Sequence, residues 1–91
     1  MSKREKLRQR IAQNPKNVRF EDLHRLLKFY GFELRRTKGS HHSFIAKIAD
    51  QEVLLVVPYN QPLKAVYVKQ ALELIKRIEA YLDEAEDDED E

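Results

Sequence analysis

The chain has no cysteine among its 91 residues, so neither a disulfide nor a thiolate metal site is open to it. That usage suits a reducing cytoplasm, which is the expected compartment. It also has no apolar run approaching the ~20 residues of a membrane span. Met1 to Arg10 is rich in charge instead of leading into an apolar signal segment, so a soluble, unexported protein with no membrane partner is expected. Glycine is scarce, at two residues, and proline at three; with neither an internal repeat nor an uncharged linker present, nothing divides the chain. A chain this short buries only about 60–65% of the surface its unfolded form exposes, so one small core is expected.

What is present is charge, unevenly placed. The net charge is +1, yet Leu82 to Glu91 alone holds eight carboxylates; residues 1–81 keep 17 Lys and Arg against 16 − 8 = 8 Asp and Glu, a net of +9. A compact basic body attracts phosphate-rich polymers over about a Debye length. Nucleic acid is therefore the leading partner class, ahead of an anionic membrane surface or an acidic protein.

Apolar spacing orders the chain. Ser2 to Ala12 reads as a basic helix with weak apolar marking at Leu7 and Ile11, stopped by Asn14-Pro15. Phe20, Leu23, Leu26, Leu27 and Tyr30 fall on one face of a second helix, which Gly31 closes by supplying the left-handed C′ residue. Phe32 to Thr37 alternates as a strand with one buried face, Lys38-Gly39-Ser40 turns the chain, and a second strand runs from His41. In that strand His42, Phe44, Ala46 and Ile48 share one face, and His41, Ser43, Ile45 and Lys47 the other. Ala49-Asp50-Gln51 turns again, and Glu52 to Val57 forms a third strand ended by Pro58. After a loop, Val68, Ala71, Leu72, Ile75, Ile78 and Leu82 mark the longest helix, starting near Ala65 and fraying from Asp83, where like charges crowd its C-terminal end. The expectation is a two-layer α+β fold with both core helices on one face of a three-stranded antiparallel sheet. Residues 1–17 form a basic helical extension, 18–82 the domain, and 83–91 an acidic disordered tail.

Lys38-Gly39-Ser40-His41-His42-Ser43-Phe44 is the segment with chemical promise, because a glycine-serine turn delivers two histidines to the start of a strand beside Arg35, Arg36 and Lys38. RNA cleavage needs a base for the ribose 2′-OH proton, an acid for the leaving 5′-oxygen, and cations to offset charge on the phosphorane. Histidine, with an ordinary pKa of about 6.5, serves either proton role near neutral pH, and Arg and Lys supply the electrostatics.

Leu26-Leu27, Gly31-Phe32, Gly39-Ser40-His41-His42, Phe44, a Val-rich strand ending in Pro58, and Leu63-Lys64 before a long helix together resemble the HicA family over residues 18–82. The resemblance implies an α-β-β-β-α fold like that of double-stranded RNA-binding domains. It implies a Gly-Ser-x-His motif at Gly39, Ser40 and His42, with His42 essential for toxicity and His41 at the variable position. It also implies the toxin of a type II toxin-antitoxin system: an endoribonuclease that cleaves mRNA, arrests translation under stress, and is neutralised by a HicB antitoxin. The chain departs from the family's common Pro-Arg-His after the third strand, having Pro58-Tyr59-Asn60.

On this reading His42 is the catalytic acid/base, while Gly39, Ser40, His41, Arg35, Arg36, Lys38, Lys64 and Lys69 are the candidate RNA contacts. No cofactor or metal is expected: His41 and His42 point to opposite faces of a strand, and His24, a surface or partly buried helix residue, lacks a carboxylate or thiolate at ligand spacing. Other readings stand beside it. Gly39-Ser40 has an ordinary turn explanation that needs no substrate; the implied fold, like that of domains that recognise duplex RNA by shape and 2′-OH contacts, suits a non-catalytic RNA-binding module; and a purely structural protein-protein partner is made less attractive by the basic surface.

Overall fold

The computed structural model describes residues 2–89, with side chains placed as far as Leu82. The elements follow in the order α1 (Lys3–Gln13), α2 (Phe20–Phe29), β1 (Glu33–Lys38), β2 (His41–Ile48), β3 (Gln51–Pro58) and α3 (Ala65–Glu89). The strands make one antiparallel sheet in the order β1-β2-β3. This is the expected α+β arrangement. No helix among the described residues is long and apolar enough to cross a membrane.

Local chemistry sets the helix ends. Ser2 caps α1 by accepting the N–H of Glu5 on its Oγ at 3.2 Å. At the end of α2, Gly31 takes φ +88°, the N–H of Phe32 donates to the Leu27 carbonyl at 3.0 Å, and that of Gly31 donates to Lys28 at 3.1 Å. This pair of bonds is the Schellman closure, and it drives Phe32 into the core, where it is 1% exposed.

The five apolar residues expected on the face of α2 are all buried, and they meet Phe44, Ala46, Leu55 and Val57 from the sheet with Val68, Ala71 and Ile75 from α3. Leu7 and Ile11 join the same core, so α1 is fastened to the body along an apolar edge. Arg8 reinforces it by an ion pair to Glu79 at 2.6 Å, and Glu79 also accepts from the Tyr30 hydroxyl at 3.0 Å.

Three expectations change. First, β1 has no buried face, and Leu34 is 39% exposed, because the sheet residues that meet the helices, Phe44, Ala46, Leu55 and Val57, come from β2 and β3. A bulge between Leu34 and Arg36 also breaks its period of two, so that Arg36 pairs with Ser43. Second, α3 does not fray at Asp83; its backbone stays helical to Glu89. Glu and Ala are good helix formers, and lengthening an anchored helix needs no new nucleus, which offsets the repulsion between carboxylates. Residues 90 and 91 of the acidic segment lie outside the described residues. Third, the buried stripe of α3 stops at Ile78, and Leu82 is 42% exposed, beyond the point where Glu79 ties the helix to α1 and α2.

Two-residue turns join the strands. Gly39 has φ +59° between the paired Lys38 and His41, and Ala49 and Asp50 have φ 51° and 69° between the paired Ile48 and Gln51. Positive φ at both positions gives the second turn the twist that suits a hairpin, here without glycine.

Candidate active site

His42 is the second residue of β2, opposite Thr37 on one side and Val57 on the other. The alternation of β2 turns it toward the helices, on the face that carries Phe44 and Ala46, as expected. There its ring meets the ring of Phe20 from α2 at 4.4 Å between centroids, with Tyr59 at 6.1 Å. The imidazole is half-buried with an apolar backing.

The Gly39-Ser40 turn positions this ring. The Nδ1 of His42 lies 3.1 Å from the carbonyl oxygen of Ser40, and since a carbonyl can only accept, the bond selects the tautomer in which Nδ1–H donates. Nε2 is then left with its lone pair, able to take a proton. The same carbonyl accepts the backbone N–H of Tyr59 at 2.7 Å, which joins the end of β3 to the turn. His42 is thus held by a ring contact and a directional bond that keep Nε2 as the basic atom.

The other expected site residues fall in separate places. His41 pairs with Lys38, and Arg36 with Ser43, which puts these three on the face of the sheet opposite His42. Arg35 lies at the bulge, with its Nε 3.8 Å from Glu33. All four are exposed. Lys64 is exposed just before α3, whereas Lys69 lines a cleft between α1 and α3 with Arg8, Gln9, Ala12, Leu72, Glu73 and Lys76. The hairpin end therefore brings Gly39, Ser40, His41, His42 and Lys38 together, and Lys69 is not part of that group. Among the described residues no group of three or more His, Asp or Glu side chains comes together in a way that would hold a metal ion.

Sequence reasoning missed the companions of His42. His24 of α2 is half-buried with its ring 5.2 Å from that of Phe44 and 5.8 Å from that of Phe20, the ring on which His42 also rests. Burial, followed by the charges of Lys28 and His42, holds its pKa below the ordinary 6.5. A signal was available, since Phe20 and His24 are four apart and share a helix face with the buried stripe. Tyr59 is the other companion, 5.2 Å from Phe20 and 40% exposed. A cleft of about 550 Å³ between α1 and α2, lined by Lys3, Lys6, Leu7, Arg10, Arg25 and Phe29, includes no member of this cluster. His42, itself half-buried, lies at a hairpin end whose turn residues Lys38 to His41 are exposed.

Comparison with known proteins adds one positive finding. A family model described as the HicA toxin of bacterial toxin-antitoxin systems matches residues 20–78, from the start of α2 to Ile78 of α3. No curated protein and no solved structure matches the chain. The matched span is well over half the chain and contains the turn, both strands beside it and the helix that backs His42, so this chain belongs to the HicA toxin family of bacterial toxin-antitoxin systems.

Proposed function

We propose that the protein is an endoribonuclease toxin that cleaves mRNA and arrests translation, with His42 as its proton-transfer residue. The observation that carries this reading is the bond from the Nδ1–H of His42 to the Ser40 carbonyl at 3.1 Å, which keeps Nε2 basic at a hairpin end whose turn residues are exposed. Nε2 accepts the ribose 2′-OH proton as the 2′-oxygen forms its bond to phosphorus. The P–O5′ bond breaks, and the imidazolium returns the proton to the departing 5′-oxygen, leaving a 2′,3′-cyclic phosphate and a free 5′-hydroxyl. Positioned acid–base catalysis of this kind contributes about 10²–10⁴-fold. A modest rate is sufficient for a toxin, because each cut transcript is lost to translation.

Lys38 and His41 flank the same turn from the other face, where they hold phosphates neighbouring the scissile one as the strand crosses the hairpin. The net +9 of residues 1–81 supports an RNA substrate. The partner that restrains the toxin is a HicB-like antitoxin covering His42, and toxin and antitoxin meet in the cytoplasm, where mRNA is. Co-purification with the product of a neighbouring small reading frame tests that pairing.

The catalytic reading is tested by incubating the protein and its His42→Ala variant with a long single-stranded RNA in EDTA, with folding checked by circular dichroism. Fragments from wild type alone, with RNA binding kept in the variant, are expected. Intact RNA in both lanes despite binding would replace the enzyme with a non-catalytic RNA-binding module.

A further inference from the structure

We infer that Tyr59 is a nucleobase-stacking platform for single-stranded RNA, seating a base beside the phosphate that His42 faces. This rests on the proposed RNA substrate, and it assigns a binding subsite to a residue outside the Gly39-to-His42 turn.

Tyr59 is unusual in being both exposed and fastened. It is 40% exposed, yet its backbone N–H donates to Ser40 at 2.7 Å, and its hydroxyl accepts from the Nε2 of Gln61 at 2.8 Å and reaches Oε1 of Glu21 at 3.5 Å. Part of its ring rests on Phe20 at 5.2 Å. A surface tyrosine serving only to fill a gap would bury its ring and leave its hydroxyl in water. Here the hydroxyl and backbone are engaged, and the residue still keeps 40% of its surface exposed. A ring ordered before the ligand arrives loses little conformational entropy on binding.

Location identifies the ligand. Tyr59 and His42 hang from one carbonyl, that of Ser40, and their rings are 6.1 Å apart. That separation is within the reach between a nucleotide's base and the phosphate attached to its ribose. A base on the open part of Tyr59 therefore leaves the adjoining phosphodiester at Nε2 of His42. An unpaired base offers the flat π-face that such a ring takes, whereas a duplex keeps its bases stacked on one another. The platform accordingly selects single-stranded RNA, with little preference among bases.

The chain has no tryptophan, so Tyr59→Trp introduces a unique indole. In the His42→Ala background, which prevents cutting, an RNA of about eight nucleotides should quench that indole, and Tyr59→Phe and Tyr59→Trp should keep affinity within about threefold of the parent. Tyr59→Ala should weaken binding by roughly 5- to 150-fold, with the slope of log K against log salt unchanged, because no phosphate contact is removed. An unquenched indole at RNA saturation, or an alanine variant that binds as tightly as its parent, would overturn the platform. A folded alanine variant that loses only antitoxin binding would overturn it as well. Failure of the enzyme reading looks different: wild type then binds RNA without cutting it, and the quench still decides whether Tyr59 stacks.

Discussion

Ser40 holds His42 through its backbone: the carbonyl oxygen of Ser40, not its hydroxyl, lies 3.1 Å from the Nδ1 of His42. The two neighbouring turn positions should therefore respond differently to substitution. Ser40→Ala keeps the carbonyl and is expected to retain cleavage within several-fold and stability within about 0.5 kcal/mol. Gly39 has φ +59° with open space where a Cβ would stand, so Gly39→Ala meets backbone strain and no clash. It should cost about 1–2 kcal/mol in urea unfolding and lower cleavage as the carbonyl turns away from Nδ1. A folded Ser40→Ala that no longer cuts would assign the hydroxyl to the substrate instead.

The second prediction concerns α1, which lies outside the matched residues 20–78 yet contributes to the core. Ile11 is 3% exposed and Leu7 7%. Truncating a buried branched aliphatic side chain loses its transfer free energy and leaves a cavity, so Ile11→Ala should destabilise by about 2–4 kcal/mol. A chain beginning at residue 18 should be less stable still. Urea midpoints measure both. A change under about 0.5 kcal/mol for Ile11→Ala would mean that α1 is a detachable arm.

The contrast between legible and hidden features follows the range of the interactions that decide them. The buried face of α2 and its closure at Gly31 are set within a few residues, so spacing and one glycine reveal them. The alternation that turns His42 inward and His41 outward is equally local. The bulge beside Arg35 is not, because the hydrogen-bond register of β2 decides it, and strict alternation would have placed Arg36 on the inner face. The exposure of β1 depends on which strands the helices cover. The convergence of Phe20, His24, Tyr59 and His42 joins residues up to 39 positions apart in the chain, and no local pattern announces it.

The third prediction uses His24, whose imidazole is pushed below the ordinary pKa of 6.5 by burial first and then by Lys28 and His42. Histidine is charged when protonated, so a lowered value means that the fold resists taking the proton. Between the folded value and about 6.5 the unfolded chain binds more protons than the native one, and stability rises with pH across that window. The contribution is complete above about 6.5 and is lost as pH falls through the folded value. Urea midpoints should therefore drop from pH 7.5 to 5.5, and His24→Gln, which does not titrate, should show a shallower drop. Proton NMR of the ring separates the causes. In His42→Ala the His24 titration should move up toward 6.5 without reaching it, since burial is the largest cause and remains. A His24 titration unchanged by removing His42 would show that the two imidazoles do not sense each other across Phe20. Equal midpoint drops in wild type and His24→Gln would show that His24 takes no part in the acid sensitivity of the fold.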